Sequence, residues 1–289
     1  MCTVSIIPLR SRTGLHLAGA NTDGGGGELG FRIVCNRDES RRRAPAGLPK
    51  WRSIERAGIP GARAIWPMDM EAGGTWIAAA EHGLALCLLN LNLEPPPDLR
   101  GMRGLKSRGL VIPALIGAAD VTEAVRRLER LSLKSFAPFR LVAVTAQGDE
   151  LVIAEARWDR KQIEVNVHTG GPACFVSSGL GDSLVADRIG LFDRMVASGA
   201  SNESIGERQD EYHRHTWPDR PELSVLMSRT DARTVSVTTI EAMPDGRGMW
   251  DIAMEYDPIK LAPEVNGAVG GKVGGVVEVA GVRRAAGAR

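Results

Sequence analysis

Met1-Cys2-Thr3-Val4-Ser5-Ile6-Ile7 opens the chain and sets a cysteine at the head of an apolar run. Val4, Ile6 and Ile7 give it the β-branched composition of a strand, and Pro8 is expected to end that strand. Cys2 is small enough for methionine aminopeptidase to remove Met1, which leaves one residue with both a thiol and a free α-amine. A thiol with a pKa of about 8.5 is a strong nucleophile as thiolate, and an amine of about 7.7–8.0 accepts its proton at neutral pH. The competing use of Cys2 is as a buried strand residue. The rest of the chain has to decide between them.

The chain has 289 residues, a net charge of +1 and 43% hydrophobic residues, the profile of a soluble globular protein with ample core. Near-neutral charge gives no reason to expect a nucleic acid partner. No apolar run nears the ~20 residues of a membrane span, and the N-terminus lacks a charged-then-apolar leader. A cytoplasmic protein without integral membrane association is therefore expected. Cys2, Cys35, Cys87 and Cys174 have no C-x-x-C spacing and read as reduced thiols, with no metal framework. His213 and His215 lack a third ligand and read as solvated surface, and His82 reads as a turn residue.

After a linker containing Gly24-Gly25-Gly26-Gly27, Leu29–Cys35 reads as a second strand. Asn36-Arg37-Asp38-Glu39 then opens a polar, arginine-rich loop through Pro49. Gly73-Gly74-Thr75-Trp76 feeds a strand to Ala80, and the continuous apolarity of Leu84–Leu91 marks a strand buried on both faces. Helical spacing covers 110–118 and 121–131, the second capped by Asp120 with Glu123. Strands follow at 139–146, 150–156, 162–168 and 174–177, helices at 183–197 and 204–215, and a hairpin of 234–242 with 248–256. From about residue 263 the composition is Gly/Val/Ala-rich without a period, so a domain of residues 1–262 and a disordered tail at 263–289 are expected. Strands and helices in blocks give an α+β class, with two stacked antiparallel sheets and helices outside.

Met1-Cys2-Thr3, Asn36-Arg37-Asp38-Glu39, Pro49 with Trp51, Asp69 before Gly73-Gly74-Thr75-Trp76, Gly83-Leu84 through Asn90, and Ser107-Arg108-Gly109 stand in one order. In these the chain resembles the NRDE family, also named transport and Golgi organisation 2, over about residues 2–257. The resemblance implies an N-terminal-nucleophile (Ntn) hydrolase-like fold, a four-layer αββα sandwich with the catalytic residue at the mature N-terminus. A eukaryotic relative is linked to haem handling and to lipid or coenzyme A metabolism, which implies a second use as a carrier of a small ligand such as haem.

A more distant likeness is to choloylglycine hydrolases and penicillin V acylases. Carried over by position, Asp38 within Asn36-Arg37-Asp38 would hold the α-amino group, and Asn90 would stand at the oxyanion position. Ser178 stands where the NRDE family often has Asn, and Arg233 is the loose counterpart of a late arginine. The resemblance thus implies Cys2, Asp38 and Asn90 as catalytic residues, with Asn36, Arg37, Ser178 and Arg233 at the substrate. Read from the residues alone, Asp38 could equally cap a turn, Asn90 could close a strand, and Arg37 could pair with Glu39. The expected activity is hydrolysis or acyl transfer at a non-peptide C–N bond of a small molecule through a Cys2 thioester, without a cofactor. The alternative is the non-catalytic carrier.

Overall fold

A computed structural model of the chain describes residues 2–10, 28–41, 46–57, 59–97, 104–198 and 204–260. The tetraglycine run and the tail expected at 263–289 lie outside these residues. In chain order the elements begin with β1 (Cys2–Arg10), β2 (Leu29–Ser40), β3 (Gly47–Ser53), β4 (Arg63–Met68), β5 (Ile77–Ala80) and β6 (Ala85–Asn90). Helices α1 (Val111–Leu115) and α2 (Val121–Arg130) follow, then β7 (Phe139–Gln147), β8 (Glu150–Trp158), β9 (Ile163–Thr169) and β10 (Ala173–Ser177). Helices α3 (Asp187–Phe192) and α4 (Ile205–Arg214) precede the closing hairpin of β11 (Ala232–Pro244) and β12 (Trp250–Pro258).

The strands form two antiparallel sheets, one of order β10-β1-β2-β11-β12 and one running β3 to β9 in sequence order. Period-two alternation sorts their side chains into layers. On β6, Ala85, Cys87 and Leu89 meet Val4, Ile6, Ile33 and Cys35 of the first sheet in a core between the sheets. Leu86 and Leu88 point the other way, into a second core closed by Val111, Leu115, Val121, Ala124 and Leu128 of α1 and α2. A third, smaller core lies outside the first sheet, where Ile7 meets Leu191, Phe192, Val196 and Tyr212. Helix, sheet, sheet, helix is an αββα sandwich of the α+β class. No helix among the described residues is long and apolar enough to cross a membrane.

Local signals behave as their chemistry requires. Asp120 accepts the Glu123 amide at 2.7 Å and caps α2, and Ser204 with Glu207 forms a reciprocal capping box on α4. Three readings need correction. Pro8 does not end β1, which continues to Arg10; β10 pairs only with Cys2–Ile6, so Pro8 lies where β1 is paired on one side and a missing N–H breaks no ladder. Asn36-Arg37-Asp38-Glu39 is not a loop but the second half of β2, because β1 and β11 flank it and its side chains find buried partners. Residues 47–53 and 63–68 form strands β3 and β4 in a stretch read as irregular.

Candidate functional site

Cys2 sits at the end of β1, held between two strands: its register partners are Arg37 on β2 and Ser177 on β10. Its backbone nitrogen donates to Ser177 Oγ at 3.3 Å. The thiol opens into a cavity of about 450 Å³ whose walls include Arg37, Asp38, Glu39, Asp69, Trp76, Asn90, Arg108, Gly179, Arg229 and Asp231. Strand geometry puts Cys35 on the same face of the sheet, diagonal to Cys2 across the β1–β2 pair. The neighbouring Cys35 thiol outweighs burial and brings Cys2 down to about 7, with the Asp38 backbone amide helping, while Cys35 Sγ donates to the Asn36 carbonyl at 3.8 Å. Cys35, beside Cys2 and fully buried, is raised well above the ordinary thiol range, and burial raises Cys87 on the facing sheet as well. One thiol of the cluster is therefore acidic and the others are inert.

Asp38 follows the β2–β11 bulge, where the register shifts between Thr234 and Ser236. Thr234 Oγ1 donates to Asp38 Oδ1 at 2.6 Å, while the buried Asp38 Oδ2 has no hydrogen-bond partner among the described residues. Burial raises the carboxyl above the usual range, opposed by the positive charge of Arg188 and by the Thr234 bond. Asn90 closes β6 opposite Phe139 and lines the same cavity.

The rest of the wall is built by two turns that lock together. Asp69 Oδ1 accepts the amides of Glu71 and Ala72, and Gly73 takes φ +73° to complete the turn. Gly74 then packs directly on the backbone of Gly109: a Cβ there would lie 2.4 Å from the Gly109 carbonyl carbon. The close backbone approach that Gly74 permits is to Gly109. Thr75 N donates to Gly109 O at 3.0 Å, so Gly73-Gly74-Thr75-Trp76 seats Ser107-Arg108-Gly109 at the cavity. Arg37 lies over the Trp76 ring, 4.1 Å from its centroid, and pairs with Glu39 and Asp69, each at 3.0 Å. On the far side Asp182 anchors the Gly179 turn by accepting Ser178 N at 2.9 Å, Asn92 Nδ2 at 2.8 Å and Arg140 Nη2 at 3.1 Å.

Of the residues singled out from sequence, Cys2, Asp38, Asn90 and Arg37 share the cavity wall, and three others do not. Asn36 alternates with Arg37 onto the outer face of the sheet, where Nδ2 donates to the carbonyls of His213 and Val225 at 2.9 and 2.8 Å. Ser178 is buried, its hydroxyl accepting the Leu180 amide at 3.2 Å. Arg233 donates to Ile259 O at 2.8 Å, away from the cavity; the arginine of this region that reaches it is Arg229, held by Asp231 at 2.7 Å. His213 is not solvated but fully buried, its ring bonded to Ser5 Oγ at 2.6 Å and to Asn36 Oδ1 at 2.7 Å. Sequence reading missed Cys35, Asp69, Arg108, Arg229 and Asp231 as parts of the site. Asp69 and Arg108 did stand beside or within quoted motifs; the others carry no local signal.

The described cavity wall carries seven charged side chains, Arg37, Asp38, Glu39, Asp69, Arg108, Arg229 and Asp231, and no His or Met to serve as an axial ligand to a porphyrin iron. No group of three His, Cys, Asp or Glu side chains able to hold a metal ion occurs among the described residues.

The family described as Transport and Golgi organisation 2 matches residues 26–228. No curated protein matches the chain. Among solved structures, a Caenorhabditis elegans ortholog of N-acylethanolamine-hydrolyzing acid amidase is similar at 14% identity and TM-score 0.46, covering 82% of this chain and 92% of that one. Penicillin V acylase from Agrobacterium tumefaciens is similar at 14% identity and TM-score 0.46, covering 88% of this chain and 82% of that one. A mutant conjugated bile acid hydrolase from Clostridium perfringens is similar at 10% identity and TM-score 0.42, covering 90% and 97%.

Proposed function

We propose that this chain, which belongs to the Transport and Golgi organisation 2 family, is an N-terminal-cysteine amidohydrolase or acyltransferase. The bond cleaved is a non-peptide C–N bond of a small molecule. The observation that carries this reading is that Cys2, Asp38 and Asn90, brought from three different strands, line one cavity.

Processing that leaves Cys2 as the first residue turns its backbone nitrogen into an α-amine. That amine takes the thiol proton, and the unpartnered Asp38 Oδ2 is an acceptor for the resulting ammonium. The thiolate attacks the amide carbonyl: a C–S bond forms, and the C=O π pair moves onto oxygen. Asn90 Nδ2 donates to that oxyanion, an interaction of the type worth about 2.7–4 kcal/mol. When the C–N bond breaks, the leaving amine takes the proton back from the α-ammonium, and Cys2 holds a thioester. Water, or an acceptor amine or alcohol, then attacks the thioester carbonyl, the base takes its proton, and the thiol is released.

The test begins with intact mass, since a retained Met1 removes both base and terminal nucleophile. In the processed protein Cys2→Ala should abolish turnover of acyl amides; full activity in that variant overturns the proposal. The acidity of Cys2 has its own check. Its alkylation by iodoacetamide should rise with pH through a midpoint below that of an ordinary thiol, and Cys35→Ala, which removes the neighbouring thiol, should move that midpoint upward.

A further inference from the structure

We propose that Arg108 is an anion anchor of this cavity and binds a carboxylate carried by the substrate of the Cys2 reaction. The inference rests on the proposed role of Cys2 and adds the class of molecule on which it acts.

Three arginines line the cavity, and two are matched. Arg37 pairs with Glu39 and Asp69, each at 3.0 Å, and Arg229 pairs with Asp231 at 2.7 Å. Arg108 has no carboxylate partner among the described residues; its hydrogen bond is from Nη1 to the Pro138 carbonyl at 3.2 Å. That bond fixes the side chain and leaves the Nε–Nη2 edge, the fork that grips a carboxylate with two parallel bonds. The backbone beneath is equally fixed, because Gly109 is wedged against Gly74 and bonded to Thr75 N.

Electrostatics favour the same occupant. Burial works against the charge on Arg108, and the two negative groups that favour it are the Cys2 thiolate and Glu39. Glu39 is already bonded to Arg37. A guanidinium cannot escape desolvation by losing its proton, so a partly buried one without a counter-ion leaves its solvation cost uncompensated until an anion arrives. The fork of a single guanidinium matches the two oxygens of one carboxylate. Its interaction with Cys2 places that anion near the reacting carbonyl.

The test uses a pair of thiol reagents of nearly equal size, iodoacetate and iodoacetamide, on the full chain. Both are displaced at carbon by the thiolate, forming C–S as C–I breaks and iodide leaves; only the first carries a carboxylate. The rate at Cys2 is read by peptide mass, and the iodoacetate-to-iodoacetamide ratio is compared with that of glutathione. The ratio cancels any change in thiolate fraction. At Cys2 it should exceed the glutathione ratio by about tenfold at low salt and shrink as salt is added. Arg108→Gln should return it to the glutathione value, and Arg108→Lys, which keeps charge without the fork, should retain part of the excess. A wild-type ratio equal to that of glutathione overturns the inference while leaving Cys2 as nucleophile, and so does an excess that survives in Arg108→Gln. Labelling of Cys2 by neither reagent removes the nucleophile reading, and this inference with it. Should Arg108→Gln fail to fold, the wild-type ratio and its salt dependence decide alone.

Discussion

Beneath α1 and α2 the contact with the second sheet is apolar throughout, built from residues such as Val111, Leu115, Ala124 and Leu128 on Leu86, Leu141 and Ala156. Beneath α3 and α4 the contact with the first sheet is threaded with bonded polar groups. Arg188 Nη1 donates to Thr3 Oγ1 at 2.9 Å, and Gln209 Nε2 and His213 Nε2 meet Ser5 Oγ at 2.8 and 2.6 Å. Arg32 donates to Gln209 Oε1 and Asp210 Oδ1, both at 2.8 Å. Thr3, Ser5 and Asn36 alternate along β1 and β2 with Cys2, Val4, Cys35 and Arg37 on the opposite face. An apolar contact accepts small sliding, whereas directional bonds to the back of a strand fix its rotation. The polar layer lies behind the strands that present Cys2 and Asp38, and the apolar layer behind the supporting sheet.

This contrast can be broken at several points. The largest effect on stability is expected from Leu128→Ala, at about 2–5 kcal/mol by urea titration. In the folded protein it should leave the alkylation rate of Cys2 unchanged; a large shift in that rate would erase the distinction between the layers. Asn36→Ala strips the carbonyls of His213 and Val225 of a donor and costs about 1–3 kcal/mol. Unlike the leucine change, it should alter Cys2 alkylation, because the lost bonds hold the strand paired with β1.

His213 sharpens the comparison through pH. Burial, with Arg32 and Arg214 adding to it, keeps the ring neutral well below the usual histidine range. The unfolded chain binds a proton there below about pH 6.5 and the folded protein does not, so stability falls as pH drops below that point. The slope should reach at most about 1.4 kcal/mol per pH unit, and His213→Asn should flatten it in thermal melts between pH 5 and 7. The smallest effect is expected from Ser204→Ala, which removes the α4 cap for about 1 kcal/mol without touching Cys2 reactivity.

The parts of this protein that could be read from its residues are those whose physics is local. Val4–Ile7, Leu84–Leu91 and Val121–Leu131 carry their strand or helix period within a few residues, and Asp120 with Glu123 caps a helix wherever that helix packs. The position of Cys2, the motif Gly73-Gly74-Thr75-Trp76 and the α+β order of elements belong to the same category. The αββα arrangement follows once central strands such as β6 must hide two faces. Other features depend on register between distant strands, for which no short stretch holds a signal. Asn36 and Asp38 have the same polar character in sequence, yet one ends in a buried bond to His213 and the other at the cavity wall. Cys35 became the thiol that acidifies Cys2 because β1 and β2 pair with Val4 opposite it. Arg229 rather than Arg233 reaches the cavity because of where β11 begins, and His213 is buried because α4 lies on the polar face of β1. Composition and period set which segments could pack; only the packing decided which side chains met.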